Sequence, residues 1–131
     1  MNRIEARVTD IERLDNITIV SFDAQGTPMR MMALGLNIPV RKGTRVVLGF
    51  KASHVALATH LLGHLSISNR LNAVIEAVET GTLLCSVILR VGPTRLESII
   101  TRESAEKMEL EPGESVTALI KASDLSIVDV L

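Results

Sequence analysis

The chain has no tryptophan and no tyrosine, and Phe22 and Phe50 are its only phenylalanines. Readers of carbohydrate or single-stranded nucleic acid stack their ligands on aromatic faces, so both classes are disfavoured. A single cysteine, Cys85, excludes an internal disulfide and a multi-cysteine zinc site. Neither sign of charge is in excess: 14 Lys+Arg stand against 15 Asp+Glu, a net charge of −1. No basic field is available to hold nucleic acid or an anionic membrane, so a bound anion would have to be held by local donors. The most apolar run, Val55 to Leu65, is too short to span a bilayer and is broken by His60 and His64. The opening MNRIEARVTD is charged from residue 3 and lacks a signal-peptide core, so the expectation is a soluble cytoplasmic protein.

What the sequence does contain is an internal repeat. Slid by 67 residues, Asn2-Arg3 falls on Asn69-Arg70, Ala6 on Ala73, Glu12 on Glu79, Val20 on Val87 and Thr27 on Thr94. After a three-residue insertion in the second copy, Gly43 falls on Gly113, Val46 on Val116, and Lys51-Ala52-Ser53 on Lys121-Ala122-Ser123. Identities cluster at the two ends of the unit. They define tandem copies at 1–62 and 67–131, joined by His60-Leu61-Leu62-Gly63-His64-Leu65.

Each copy reads as β. Ile4, Ala6 and Val8 alternate with polar neighbours, as do Leu71, Ala73 and Ile75. Further strands are expected at Ile17–Phe22, Met29–Leu34 and Arg45–Phe50, and at Leu83–Val91, Leu96–Ile100 and Ser115–Ile120. The last strand of each copy is expected to run on into KASHVAL and KASDLSI. Short strands between Gly/Pro turns suggest a small barrel. One helix is expected, over RESAEKMEL, with Thr101 as N-cap, Glu103 at the positive end of its dipole and Glu111-Pro112-Gly113 as its stop. Copy one has only Gly35-Leu36-Asn37-Ile38-Pro39 there, at most a single turn. Units of this size bury too little alone, so the copies are expected to pack on each other and on other subunits.

No feature points to catalysis. No Ser/His/Asp ordering recurs, and there is no phosphate-binding glycine loop and no HExxH. His60 and His64 have a metal-ligand spacing but no third ligand, and read as decoration of a linker, so no protein-ligated metal is expected. Cys85, in an apolar strand, reads as a buried thiol. The polar groups that remain are Ser66, Ser68, Asn69 and Arg70 before the second copy's first strand, Thr101 and Ser104 at the helix start, and Lys121 and Ser123 after the last strand. Unpaired N–H groups at a helix N-terminus, with hydroxyls and a lysine, would suit an anion. A tetrahedral dianion fits such a donor set better than a protonated phosphate, whose own O–H needs an acceptor.

SISNRLNAVIEAVETG, followed by SIITRESAEKMELEPGESVTALIKASDLSI, resembles the Mop domain of molbindins, relatives of the TOBE modules attached to molybdate transport ATPases and molybdate-responsive regulators. The likeness covers copy two end to end through ITxES, PG and VTALIKAS. Copy one, IEARVTDIE through VVLGFKASHVALA, resembles the same domain more loosely. The resemblance implies a mainly β fold of two tandem OB-like (TOBE/Mop) small barrels, each of about five strands with one short helix. It implies binding of molybdate or tungstate at sites shared between neighbouring domains, with six domains in a ring and hence a homotrimer. Thr101, Ser104 and Lys121, with Ser123 close by, match binding positions on one side of that interface, and Ser66 matches the serine from the other side. The family run Ser-x-Arg-Asn is here Ser66-Ile67-Ser68-Asn69, so either Arg70 reaches the anion or Ser68 replaces the charge with a hydroxyl. Copy one keeps Arg3, Lys51 and Ser53 but has Leu34 in place of Thr101, which implies a weaker site.

Three functions are then in view. The first is oxyanion storage or homeostasis without chemistry. The second is a sensing module acting in trans on a transporter or regulator, since the chain has no helix-turn-helix and no nucleotide motif. The third, an OB-fold nucleic-acid binder, is opposed by the missing aromatics and neutral charge.

Overall fold

A computed structural model describes all residues, Met1–Leu131. The elements, in chain order, are β1 (Asn2–Leu14), β2 (Ile17–Ala24), β3 (Thr27–Leu34), β4 (Arg45–Phe50), a 3-10 turn (Ala52–His54), β5 (Ala56–Ala58), β6 (Asn69–Thr80), β7 (Leu84–Val91), β8 (Thr94–Thr101), α1 (Arg102–Met108), β9 (Ser115–Ile120), a second 3-10 turn (Ala122–Asp124) and β10 (Ser126–Val130). The repeat is visible in burial as well as in sequence. Asn2, Ile4, Ala6 and Val8 point inward along β1, and Asn69, Leu71, Ala73 and Ile75 do so along β6. Both strands carry a bulge at the same repeat position, between Val8 and Asp10 and between Ile75 and Ala77. An extra residue there bends the strand and curls the sheet around its inner face.

The strands form two antiparallel five-stranded sheets, ordered β10-β4-β1-β2-β3 and β5-β9-β6-β7-β8. Each sheet takes four strands from one half of the chain and its fifth from the other. The reason is local. The last long strand of each copy does not run on through KASHVAL or KASDLSI as the sequence suggested. Lys51 and Lys121 instead lead into 3-10 turns that send β5 and β10 across to the opposite sheet.

The exchange fuses the interior. One cluster of 27 buried residues runs through both halves, with Phe22, Phe50 and Leu48 from the first and Leu71, Leu89 and Ile120 from the second. The helix expectation holds for the second half only. There the chain reverses through α1, whose C-cap Glu109 takes a left-handed conformation (φ 52°). The first half, three residues shorter, has no α-helix between β3 and β4. Both halves make the same turn into the following strand: Gly43 and Gly113, each at φ 91°, donate N–H to the carbonyls of Val8 and Ile75. That positive φ requires glycine.

The halves are also held by a reciprocal pair of asparagines. The Asn69 carboxamide accepts from Arg30 N–H (2.7 Å) and donates to Arg30 C=O (2.9 Å) on β3. Asn2 does the same to Glu97 on β8, at 2.8 Å in both directions. Asn2 and Asn69 are repeat equivalents, and so are Arg30 and Glu97. With one N–H and the oxygen of its carboxamide, asparagine here acts like a peptide group and pairs a strand edge as a neighbouring strand would.

One glycine is fixed by close approach. A Cβ on Gly49 would lie 2.6 Å from Val128 Cγ1 and 2.9 Å from Met1 Sδ, because β10 bulges at Val128 over this point of β4. We expect Gly49→Ala to lower unfolding free energy by about 1–3 kcal/mol through overpacking. Urea titration followed by circular dichroism measures this, and no change would mean that β10 does not lie tight against β4.

Candidate functional site

The polar residues singled out in the sequence fall into three places, and all of them except the buried Asn69 are exposed in the single chain. The first is an open depression of about 410 Å³ where β8 and α1 meet the first 3-10 turn. Thr101 and Ser104 line it from the second half, and Ser53 and His54 from the first, over a floor that includes Val55, Leu84 and Ile100. Its position is fixed by β8: the buried Ser98 hydroxyl donates to Val55 C=O at 2.6 Å and ties the turn to that strand.

Local geometry revises how this place could hold an anion. Thr101 caps α1, accepting from Ser104 N–H at 3.1 Å and donating its hydroxyl to Ser104 Oγ at 2.9 Å. Arg102 N–H donates to Leu83 C=O. Two N–H groups at the start of this seven-residue helix, those of Arg102 and Ser104, are therefore spent within the chain, which leaves fewer bare donors than the sequence suggested. Thr101 orients Ser104, whose own O–H remains free to donate outward. Glu103 is paired with Lys107 at 2.9 Å, away from this role.

The second place is the ladder end where β6 begins and β9 finishes. Asn69 pairs with Ile120, which leaves Ser68 and Lys121 next in line on the two strands. Arg70 does not point along this end. Its Nη2 donates to Leu65 C=O at 2.7 Å, pinning the connecting segment that carries Ser66. In the first half Asn2 pairs with Phe50 and Arg3 with Gly49, so Lys51 stands at the matching ladder end.

The third place is the repeat counterpart of the first. It is a depression of about 540 Å³ lined by Ile17, Met32, Leu34, Leu36 and Ile38 with Ser123 and Ser126. Ser123 thus lies among apolar residues of the first half, not beside Thr101 and Ser104. Leu34 occupies the position of Thr101. In one chain, then, Thr101, Ser104 and Ser53 come together, and Lys121 follows Ser68, while Ser123 stands apart from both. Sequence reasoning missed His54, because it lies in the KAS-H turn of copy one and reaches a pocket of copy two only through the exchanged strand. The asparagines of the recurring Asn-Arg pair are clamps between the halves, Asn2 on Glu97 and Asn69 on Arg30.

A further depression near the β6 bulge carries Arg90, Asn72, Ser115 and Thr117. Its arginine is already committed: Arg90 Nε (2.6 Å) and Arg95 Nη2 (2.9 Å) both hold the Glu76 carboxylate. The Arg90 hydrogen bond first, then the charges of both arginines, keep the Glu76 carboxyl below its ordinary value. This support for the fold is present above the ordinary carboxylate range and is lost as pH falls through the lowered value.

Comparison with known proteins follows the same lines. The TOBE domain model matches residues 65–127. Molybdenum-pterin-binding protein 3 of Clostridium pasteurianum is 32% identical over 65 residues, covering 49% of this chain and 96% of that protein. The chain belongs to the molybdenum-pterin-binding (Mop) family. A second relative, 38% identical over 89 residues, is the molybdenum import ATP-binding protein ModC of Paramagnetospirillum magneticum. It covers 67% of this chain but only 24% of that ATPase. Among solved structures, the cytoplasmic molybdate-binding protein ModG, with molybdate bound, superposes with a TM-score of 0.90 at 27% identity, covering 95% of this chain and 93% of that one. The paired Mop architecture therefore extends over nearly the whole chain, including the half that the TOBE match leaves out. No helix is long and apolar enough to cross a membrane.

Proposed function

We propose that this chain is a molybdate- or tungstate-binding protein of the cytoplasm that stores or buffers the oxyanion and catalyses no reaction. The observation that carries the reading is the near full-length likeness to molybdate-loaded ModG. The repeat copies 1–62 and 67–131 are its two Mop units, and three chains supply six. Exposure of every candidate donor supports an assembled site. A hydroxyl or lysine in bulk water gains little by exchanging water for an anion, whereas a donor set closed by a neighbouring chain is dry and each charge-assisted bond counts for more. Ser104, Lys121 and Ser66 or Ser68 are the donors we assign, with Thr101 orienting Ser104, Ser53 beside them in the same depression, and Arg70 positioning the segment that carries Ser66. Arg3 and Lys51 serve the first half, where the depression beside Ser123 has Leu34 and no helix, which leaves a weaker site.

Lys121→Ala removes one charged donor from an exposed strand end, so the fold should stand while affinity falls. A charge-assisted hydrogen bond of about 1.5–3 kcal/mol corresponds to roughly a tenfold to hundredfold rise in Kd. Titration calorimetry with molybdate is the measurement; an unchanged Kd removes Lys121 from the site. A second reading, sensing in trans for a transporter, is favoured by the match to part of an import ATPase. A partner captured only in the presence of molybdate supports it over storage.

A further inference from the structure

The two 3-10 turns meet at the pseudo-twofold axis of the repeat, and the residues that face each other there are repeat equivalents. His54 Nδ1 lies 3.7 Å from Asp124 Oδ1. An exact repeat would set two identical side chains against each other. This chain sets an imidazole against a carboxylate, and the two neighbouring depressions differ accordingly. His54 lines the one that holds Ser53, Thr101 and Ser104. Asp124 adjoins the one dominated by Leu34, Leu36 and Met32.

We propose that His54 in its protonated form is a direct oxyanion contact in the Ser53–Thr101–Ser104 depression, positioned by Asp124, so that a dianion binds there with uptake of a proton. This inference rests on the oxyanion reading above. The chemistry follows from the imidazole. With its Nδ1 edge turned to Asp124, the ring has Nε2 left to meet a ligand, and an Nε2 without a proton is a lone-pair acceptor, which repels an anion. A proton taken from solvent onto Nε2 turns that edge into a charged donor. Imidazole is the side chain whose charge changes between pH 5 and 8. The hydroxyls alone bring no charge, and His54 is the one cationic group lining this depression.

The other charged groups on elements packed around His54 are accounted for. On β8, Arg95 is held by Glu76, and Glu97 by the Ser86 hydroxyl. On α1, Arg102 pairs with Glu106, and Glu103 with Lys107. Lys51 and Lys121 precede the two turns. Asp124 is the one charged partner within ion-pair distance of His54.

The test is calorimetry of the full chain with sodium molybdate at pH 6, 7 and 8, in two buffers of different ionisation enthalpy. The wild-type chain should bind about tenfold more weakly at pH 8 than at pH 6 and take up protons at pH 7. His54→Gln should bind more weakly at pH 6, with a Kd flat across the range and no proton uptake. Asp124→Asn should weaken binding at pH 6, because the imidazole loses the carboxylate that holds its Nδ1 edge and so orients the ring. A wild-type Kd independent of pH, or a His54→Gln chain with the wild-type slope, overturns the inference and leaves the oxyanion reading standing. Failure of the wild-type chain to bind molybdate at any of these pH values overturns both.

Discussion

Asn69→Ala should be among the most damaging substitutions of a polar residue in this protein, lowering unfolding free energy by about 2–4 kcal/mol. Asn69 is fully buried, and its carboxamide satisfies both the N–H and the C=O of Arg30 at the edge of β3. Truncation to alanine removes two hydrogen bonds and leaves two backbone groups without partners in a place that water reaches poorly. For a chain of this size the melting midpoint should fall by about 10 °C. Asn69→Asp tests the chemistry rather than the volume. It keeps the shape but replaces the donor to Arg30 C=O with a second acceptor and adds charge, so it should be at least as harmful as alanine. Asn2→Ala should act in the same direction and less strongly, since Asn2 is slightly more exposed. A loss below about 0.5 kcal/mol for Asn69→Ala, in the range of ordinary surface changes, would mean that the clamp does not hold the halves together.

The larger effect is expected from removing β10. A chain ending at Leu125 lacks the fifth strand of the first sheet, which pairs Ser126 with Gly49, Ile127 with Leu48 and Val130 with Val46. Loss of buried Ile127 alone should cost about 2–5 kcal/mol, as large-to-small core changes do. Beyond that, β4 becomes an unprotected edge, and Val46 and Leu48 lose cover. Total stabilities are of order 5–15 kcal/mol, so the shortened chain should lose its cooperative fold altogether. The core is continuous, so the second sheet should fail with the first. Far-UV circular dichroism and amide NMR dispersion follow both, which matters in a chain without tryptophan or tyrosine. Survival of half the signal in a separate, later transition would show that the second sheet stands alone, against the fused core described above.

The exchange of β5 and β10 also marks where sequence reading stopped. Alternation in Ile4-Ala6-Val8 and Leu71-Ala73-Ile75, the Gly43 and Gly113 turns and the α1 segment are all local signals, and the eight long strands follow from them. Which sheet a three- to five-residue strand joins is not local. It is decided by the direction in which the 3-10 turn after Lys51 or Lys121 releases the chain, and KASHVAL carries no pattern that separates running on from crossing over. The site inherits the same blindness. Thr101 and Ser104 are adjacent on a helix start and were legible together. Ser53 and His54 lie some fifty residues away in sequence and join them only through the crossing. Asn69 was visible as a recurring residue, but a structural amide and a ligand amide leave the same mark in sequence.

The central claim is that copies of this chain close a donor-rich pocket around a doubly charged group-6 oxyanion. The most direct check is to purify the full chain after growth with molybdate and determine bound metal by elemental analysis together with the mass of the particle in solution. The account predicts molybdenum retained by a particle of three chains. A single chain in solution that carries no molybdenum, and takes up neither molybdate nor tungstate when they are added, would contradict it.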